Sequence, residues 1–398
     1  MSAVSAAHPA QRARALLTRC AARRHRLVGL AALRVVLGLA ALEFYVTEYG
    51  NRRLLWGPEG YVPLDTFRET VPLWGTSLYG WGGSAAYFET VHHLGILAAV
   101  AFCVCGGRAL TLVHGLFVWS VQLRGGHALD HGHVLARFLL LFLLFATCDA
   151  YLSPWARRRR ARLRARAGQV SWRTAAHNCA VFLMVFQICV VYFMGGVWKL
   201  LGPRWRDGTA FYYVVHSLDS PPAALMTGLA SVAWVTVLVT YATVGLEVAF
   251  PVLAASGHRF AREAAALGAA LMHLGIVPLV GLLNFSLVMI AADCLVPRDS
   301  DYRATGLALR RFGRGGARAA PGSGARLGAW AAAGPFRHAP SGTMEPCPDA
   351  RPPAVPPRAR LAVPRSRSRP APAASPPSSP SAAGASTPER PPLPRRRS

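Results

Sequence analysis

The chain has 398 residues, of which 53% are hydrophobic and 16% charged, and its 44 Lys and Arg against 18 Asp and Glu give a formal charge of +26. A globular domain carries about 25% charged residues, so this balance excludes an ordinary cytosolic enzyme and a disulfide-rich secreted module. It suits a polytopic membrane protein with a basic tail. Lys occurs once, at Lys199, and every other basic residue is Arg.

In chain order, residues 1–26 form a basic arm with Arg12, Arg14, Arg19, Arg23, Arg24 and Arg26. No A-x-A-like cleavage site follows the first apolar run, so the arm reads as a cytoplasmic N-terminus and not a signal peptide. Apolar runs on the scale of the ~20 residues that cross a bilayer then recur. They cover 27–46, 91–105, 110–123, 134–152, 180–201, 224–255 and 264–296. Arg108 and Arg124 flank the third run as snorkelling residues. Pro251 is placed to kink the long sixth run, and the last, which contains Pro278, reads as two short helices or one span with a re-entrant end. The expected fold is all-α: a transmembrane helical bundle of about 7–8 spans over 27–297. Residues 298–398 hold nineteen of the 30 Pro, interleaved with Ala, Ser, Gly and Arg. Such a segment buries too little apolar surface to offset its chain entropy and is expected to be a disordered tail.

Arg157, Arg158, Arg159 and Arg160, followed by Arg162, Arg164 and Arg166, separate the fourth and fifth runs. Four crossings from a cytoplasmic start bring this loop back inside, as the positive-inside rule requires. A nucleic-acid patch is the competing reading. The flanking spans favour topology, so the expected partner is the lipid bilayer of the cell membrane and not nucleic acid. The basic loops and tail would add anionic-lipid contacts at about 1 kcal/mol per residue near the surface.

A charged side chain within a span is a functional hypothesis by default. Arg34, Glu43, Arg137, Lys199 and Glu247 meet that description, with His114, His273, Asn284 and Asp293 as milder cases. Mutual pairing that holds the bundle together is the plain explanation for Arg34, Glu43 and Arg137. Lys199 differs because an ammonium can lose its proton, whereas a guanidinium is charged at any accessible pH. A base role therefore competes with a snorkelling lysine. Trp205, Tyr212 and Tyr213 follow it and also fit an interfacial aromatic belt. The loop over 123–134 carries His127, Asp130, His131 and His133. Its HxxxHxH spacing admits a metal site, but a Gly-rich loop supplies no convergent geometry, and no metal is assigned. A His assisting a base, or solvated histidines, is the simpler reading. Cys103 and Cys105 are one residue short of the redox CxxC spacing.

The string Tyr192-Phe193-Met194-Gly195-Gly196-Val197-Trp198-Lys199-Leu200, followed by Trp205-Arg206-Asp207-Gly208-Thr209-Ala210, resembles the signature of the HTTM (horizontally transferred transmembrane) domain, shared by vitamin K-dependent gamma-carboxylases and bacterial homologues. Arg34, the Gly57–Gly60 stretch, Glu247, His273, Asn284 and Asp293 fit the same pattern, and the resemblance covers roughly residues 27–297. It implies a multi-pass protein that binds a prenylated quinol, menaquinol or vitamin K hydroquinone, with Lys199 as the base. Tyr192, Trp198, Trp205, Asp207 and Gly208 would then surround the cofactor. The carboxylase's helper His–Asn pair falls near His131 and His133, where the pattern departs. The position before the base, Lys in the animal enzyme, is Trp198 here. In the carboxylases a large folded extramembrane region follows; here the Pro/Arg/Ala-rich segment stands in its place. The alternative is a non-enzymatic HTTM scaffold, an immunity- or lipid-associated membrane protein.

Overall fold

The structure is a computed structural model and describes residues 18, 21–126, 129–217 and 224–318. The tail beyond 318 and His127 lie outside the described residues. All the regular elements described are helices. In chain order they are α1 (Leu27–Thr47), α2 (Arg52–Trp56), α3 (Leu64–Thr70), α4 (Ala85–Val104), α5 (Arg108–Arg124), α6 (His131–Leu143), α7 (Ala156–Ala165) and α8 (Trp172–Leu201). The remainder are α9 (Pro203–Arg206), α10 (Ala210–His216), α11 (Ala224–Ala230), α12 (Ala233–Ala255), α13 (Arg259–Val280), α14 (Leu283–Asp293) and α15 (Asp299–Arg318). Among the described residues five helices, α1, α4, α8, α12 and α13, are long and apolar enough to cross a membrane. Helices α5, α6 and α14 are shorter, at 17, 13 and 11 residues.

Each long helix is apolar on most of its circumference, and its outer side keeps large residues such as Leu97, Phe182, Trp234 and Leu271 exposed. That is the pattern of a bundle solvated by hydrocarbon, not water. Neighbouring contacts run α4–α5–α6–α8–α12–α13–α14–α1 and back to α4, and α14 also touches α6. Small residues allow the closest approaches. A Cβ on Gly29 would lie 2.4 Å from the Cys294 carbonyl oxygen, and one on Gly196 would lie 2.8 Å from Val248 Cγ2.

The breaks fall at places the proline pattern did not predict. Helix α12 runs through Pro251, and the long sixth run divides instead before Val232, whose backbone is extended at φ −90°, ψ 108°. Helix α13 likewise runs through Pro278 and ends at Gly281, whose φ of +77° is the left-handed C-terminal cap that glycine adopts without strain. The fourth run is helical only to Leu143, because the backbone beyond it turns inward to meet Arg34. The buried Arg34 guanidinium donates to the carbonyls of Phe102 (2.7 Å), Cys103 and Leu152. Its two terminal nitrogens are therefore held by the carboxyl end of α4 and by the segment before α7, and not by a carboxylate as expected. Arg124 is a second correction. It is 2% exposed and donates to the Gly57 and Val62 carbonyls, so it is a buried clamp on the α2–α3 connection and does not snorkel.

The boundary at 298 also moves. Residues Asp299–Arg318 are helical, and the start of α15 is fastened to the bundle. Asp299 accepts from the Leu27 and Val28 amides at 3.2 and 2.8 Å, while Arg26 donates to the Leu295 and Val296 carbonyls. Asp301 forms a two-pronged ion pair with Arg262 of α13, both side chains being 3% exposed.

Candidate functional site

Helices α8 and α12 form the most extensive helix pair in the structure, and their seam holds the polar residues of interest. Gly195 and Gly196 leave room on α8 for Glu247 of α12: a Cβ on Gly195 would lie 3.5 Å from Glu247 Oε2. One turn further along α8, Lys199 Nζ donates to both Glu247 oxygens, at 2.7 and 2.8 Å. The two side chains are 26% and 9% exposed. The Trp205 ring lies 5.3 Å from Nζ, close enough for a cation–π contact.

Two turns before the ion pair, Tyr192 stacks on Phe250 at a ring separation of 3.9 Å. Its hydroxyl donates to Asp293 Oδ2 at 2.8 Å and lies 2.9 Å from His273 Nε2. Residues from α8, α12, α13 and α14 thus meet in one polar knot, in which Asp293 Oδ1 and His273 Nδ1 have no hydrogen-bond partner among the described residues.

The other expected cofactor residues divide. Trp198 is 67% exposed on the outer side of α8, so it faces away from the ion pair. Gly208 has a φ of +81° and packs under the Tyr241 ring. The left-handed turn there lets Asp207 cap Thr209, accepting from its amide at 3.0 Å and from its hydroxyl. These hydrogen bonds hold the Asp207 carboxyl below its ordinary range. Tyr241 donates to the Arg206 carbonyl at 2.8 Å, and Thr240 accepts from the Phe211 amide at 3.1 Å. Asp207 and Gly208 therefore shape the turn that docks α9 and α10 against α12.

His131 and His133 do not join Lys199. His133 closes the first turn of α6 in a capping box with Asp130, which accepts from its amide at 3.1 Å. Its ring packs edge-on against Phe44. It lines a separate cavity of ≈ 30 Å³ with His114, Gln122 and Asn284, room for one water. His131 is exposed at the start of α6. Asn284 instead donates to the Ala40 carbonyl at 2.7 Å and to Glu43 at 3.1 Å, tying α14 to α1. The metal reading gains nothing: no group of three or more potential ligands stands together among the described residues.

Sequence reasoning named Lys199 and Glu247 but not their pairing. The residues are 48 apart and each was read alone. The available signal was their opposite charge in two adjacent apolar runs, together with the small pair Gly195–Gly196 that permits close approach. Comparison with known proteins yields no matching family model, no matching curated protein and no matching solved structure.

Proposed function

We propose that this multi-pass membrane-type helical protein takes a reduced, prenylated quinone at the α8–α12 seam, with the Lys199–Glu247 pair handling a hydroxyl proton. The observation that carries the reading is the pair itself, an acid–base couple at 2.7 Å held at the end of an apolar helix and partly open to the outside. Menaquinol or vitamin K hydroquinone, when bound, would supply an acidic hydroxyl and two electrons.

The residues present fit such a group. Phe193, Leu200 and Leu201 are exposed apolar side chains on the same helix and suit a prenyl tail. Glu247 suits a hydroxyl donor, and the unpartnered Asp293 and His273 atoms suit further polar contacts. The resemblance of residues 192–200 to the HTTM signature supports reading Lys199 as part of the proton-handling group. In this geometry Lys199 donates two hydrogen bonds to Glu247, so its nitrogen has no lone pair turned to a substrate. Glu247 is the group able to accept a proton first. Lys199 steadies the carboxylate that receives the substrate's hydroxyl proton.

A second reading has the same contact in its favour. A two-pronged ion pair between neighbouring helices can serve as a structural tie alone, which suits a non-enzymatic scaffold. One experiment separates them. Purified full-length protein is titrated with menaquinol while tryptophan fluorescence is followed, and its lipid extract is searched for quinone by mass spectrometry. Saturable quenching, weakened at least tenfold by Glu247→Gln, supports the quinol site. Absence of both quenching and co-purifying quinone overturns it and leaves the scaffold.

A further inference from the structure

At one end of the bundle the starts of three helices, Leu27 of α1, Arg108 of α5 and Arg173 of α8, border a cavity of ≈ 1230 Å³ that α7 and α15 complete. Ten arginines and two aspartates line it. Both aspartates are already committed: Asp149 accepts from Arg159 at 3.1 Å, and Asp299 accepts from the first amides of α1. Among the described residues, the guanidinium groups of Arg162, Arg164 and Arg166 have no carboxylate or hydrogen-bond partner.

The positive-inside rule accounts for basic residues in this loop, but solvated charges on a convex surface would satisfy it equally well. It gives no reason to gather them around a concavity. The gathering works against folding, because like charges repel. Arg24 shows the effect: burial first, then the nearby Arg159 and Arg108, push its pKa below the ordinary arginine value. The starts of α5 and α8 at the same space add partial positive charge, whereas Asp299 already answers that of α1. Helix α8 begins there without a side-chain cap, as does α5.

We propose that this cavity binds a phosphate-bearing anion, its oxygens chelated by the arginines of α7. Guanidinium forks match phosphate oxygens two at a time, which an ammonium cannot do, and uncapped helix starts complement the same charge. The volume exceeds the roughly 300–1,000 Å³ usual for small-molecule pockets and accommodates a phospholipid headgroup or a soluble diphosphate. Leu27, Leu163 and Val170 in the lining offer apolar contact for the glycerol and first acyl carbons of a lipid.

The test uses the full chain in phosphatidylcholine nanodiscs. One arm adds phosphatidic acid and counts retained lipid by native mass spectrometry. The other titrates inorganic pyrophosphate by calorimetry. Each is repeated with R162Q/R164Q/R166Q and with R365Q/R367Q/R369Q, which removes the same charge from the tail. Binding in either arm is expected, weakened about a hundredfold by the first triple and unchanged by the second. Binding of phosphatidic acid alone assigns the site to a lipid headgroup, and binding of both assigns it to the phosphate group itself. R162K/R164K/R166K keeps charge and helix, so it guards against loss of fold, and roughly tenfold weaker binding is expected from losing the forks. The proposal is overturned if neither anion binds, if both glutamine triples weaken binding equally, or if the lysine triple binds like wild type.

Discussion

The inside of the bundle and its arginine-rich end treat charge in opposite ways. Within the bundle four cations have dedicated partners: Lys199 has Glu247, Arg262 has Asp301, and Arg34 and Arg124 have backbone carbonyls. At the end, ten arginines share a cavity with two aspartates. Burial explains the difference, since an uncompensated charge in a low-dielectric interior costs several kcal/mol, whereas one in water costs little. Matched charge marks where helices must be held, and unmatched charge marks where something can still be bound.

The largest expected effect comes from unmatching the most buried pair. Asp301→Leu strands Arg262 and is expected to cost about 3–5 kcal/mol, seen as a lower unfolding midpoint in detergent. Burial opposes the charge of Asp301, yet the Arg298 amide, the Arg262 guanidinium and the Ser300 hydroxyl outweigh it and hold the carboxyl below its ordinary range. A depressed carboxylate contributes stability that is fully present above the unfolded value, about 3.9, and is lost as pH falls through the folded one. Midpoints measured from neutral to acid pH should therefore fall more steeply below about pH 4 in wild type than in Asp301→Asn.

Next in size is the seam. Lys199 is a quarter exposed and can reach water in part, so Glu247→Leu is expected to cost about 1–3 kcal/mol. The double variant K199M/E247L should recover much of that loss in a double-mutant cycle. A double whose loss equals the sum of the two single losses would show that the two residues are uncoupled. Gly196→Val forces α8 away from Val248 and is expected to cost about 1–3 kcal/mol by overpacking. The smallest effect is Asp130→Ala, which removes the cap of α6 for about 1 kcal/mol. It should leave quinol-dependent quenching unchanged, because His133 lies apart from the Lys199 site.

What could be read in advance follows from what is local. Helix α1 begins at the expected residue and ends one later, at Thr47, because a continuous apolar run is its own signal. Helix α4 starts at Ala85, six residues before its apolar run, since Ser84 caps it and Glu89 is neutralised by Arg52 and Arg53 of α2. A carboxylate that looks like a helix boundary in sequence becomes helix interior once a distant arginine reaches it. The same applies to α15: its composition reads as tail, but Asp299 and Asp301 find partners on α1 and α13 that no local window contains. Of the site, the individual residues were legible and the pairings were not. Lys199 meets Glu247 while His133 meets Asp130.

The bond between Asp299 and the head of α1 also sets an order of events during synthesis. The Leu27 amide waits for a carboxylate made 272 residues later, an interval of roughly 15–55 s at ordinary ribosomal speed. Helix α1 is thus made long before the carboxylate that caps its start. For that interval the first two amides of α1 lack their carboxylate cap, and Asp299→Ala would make that the permanent state of the helix start.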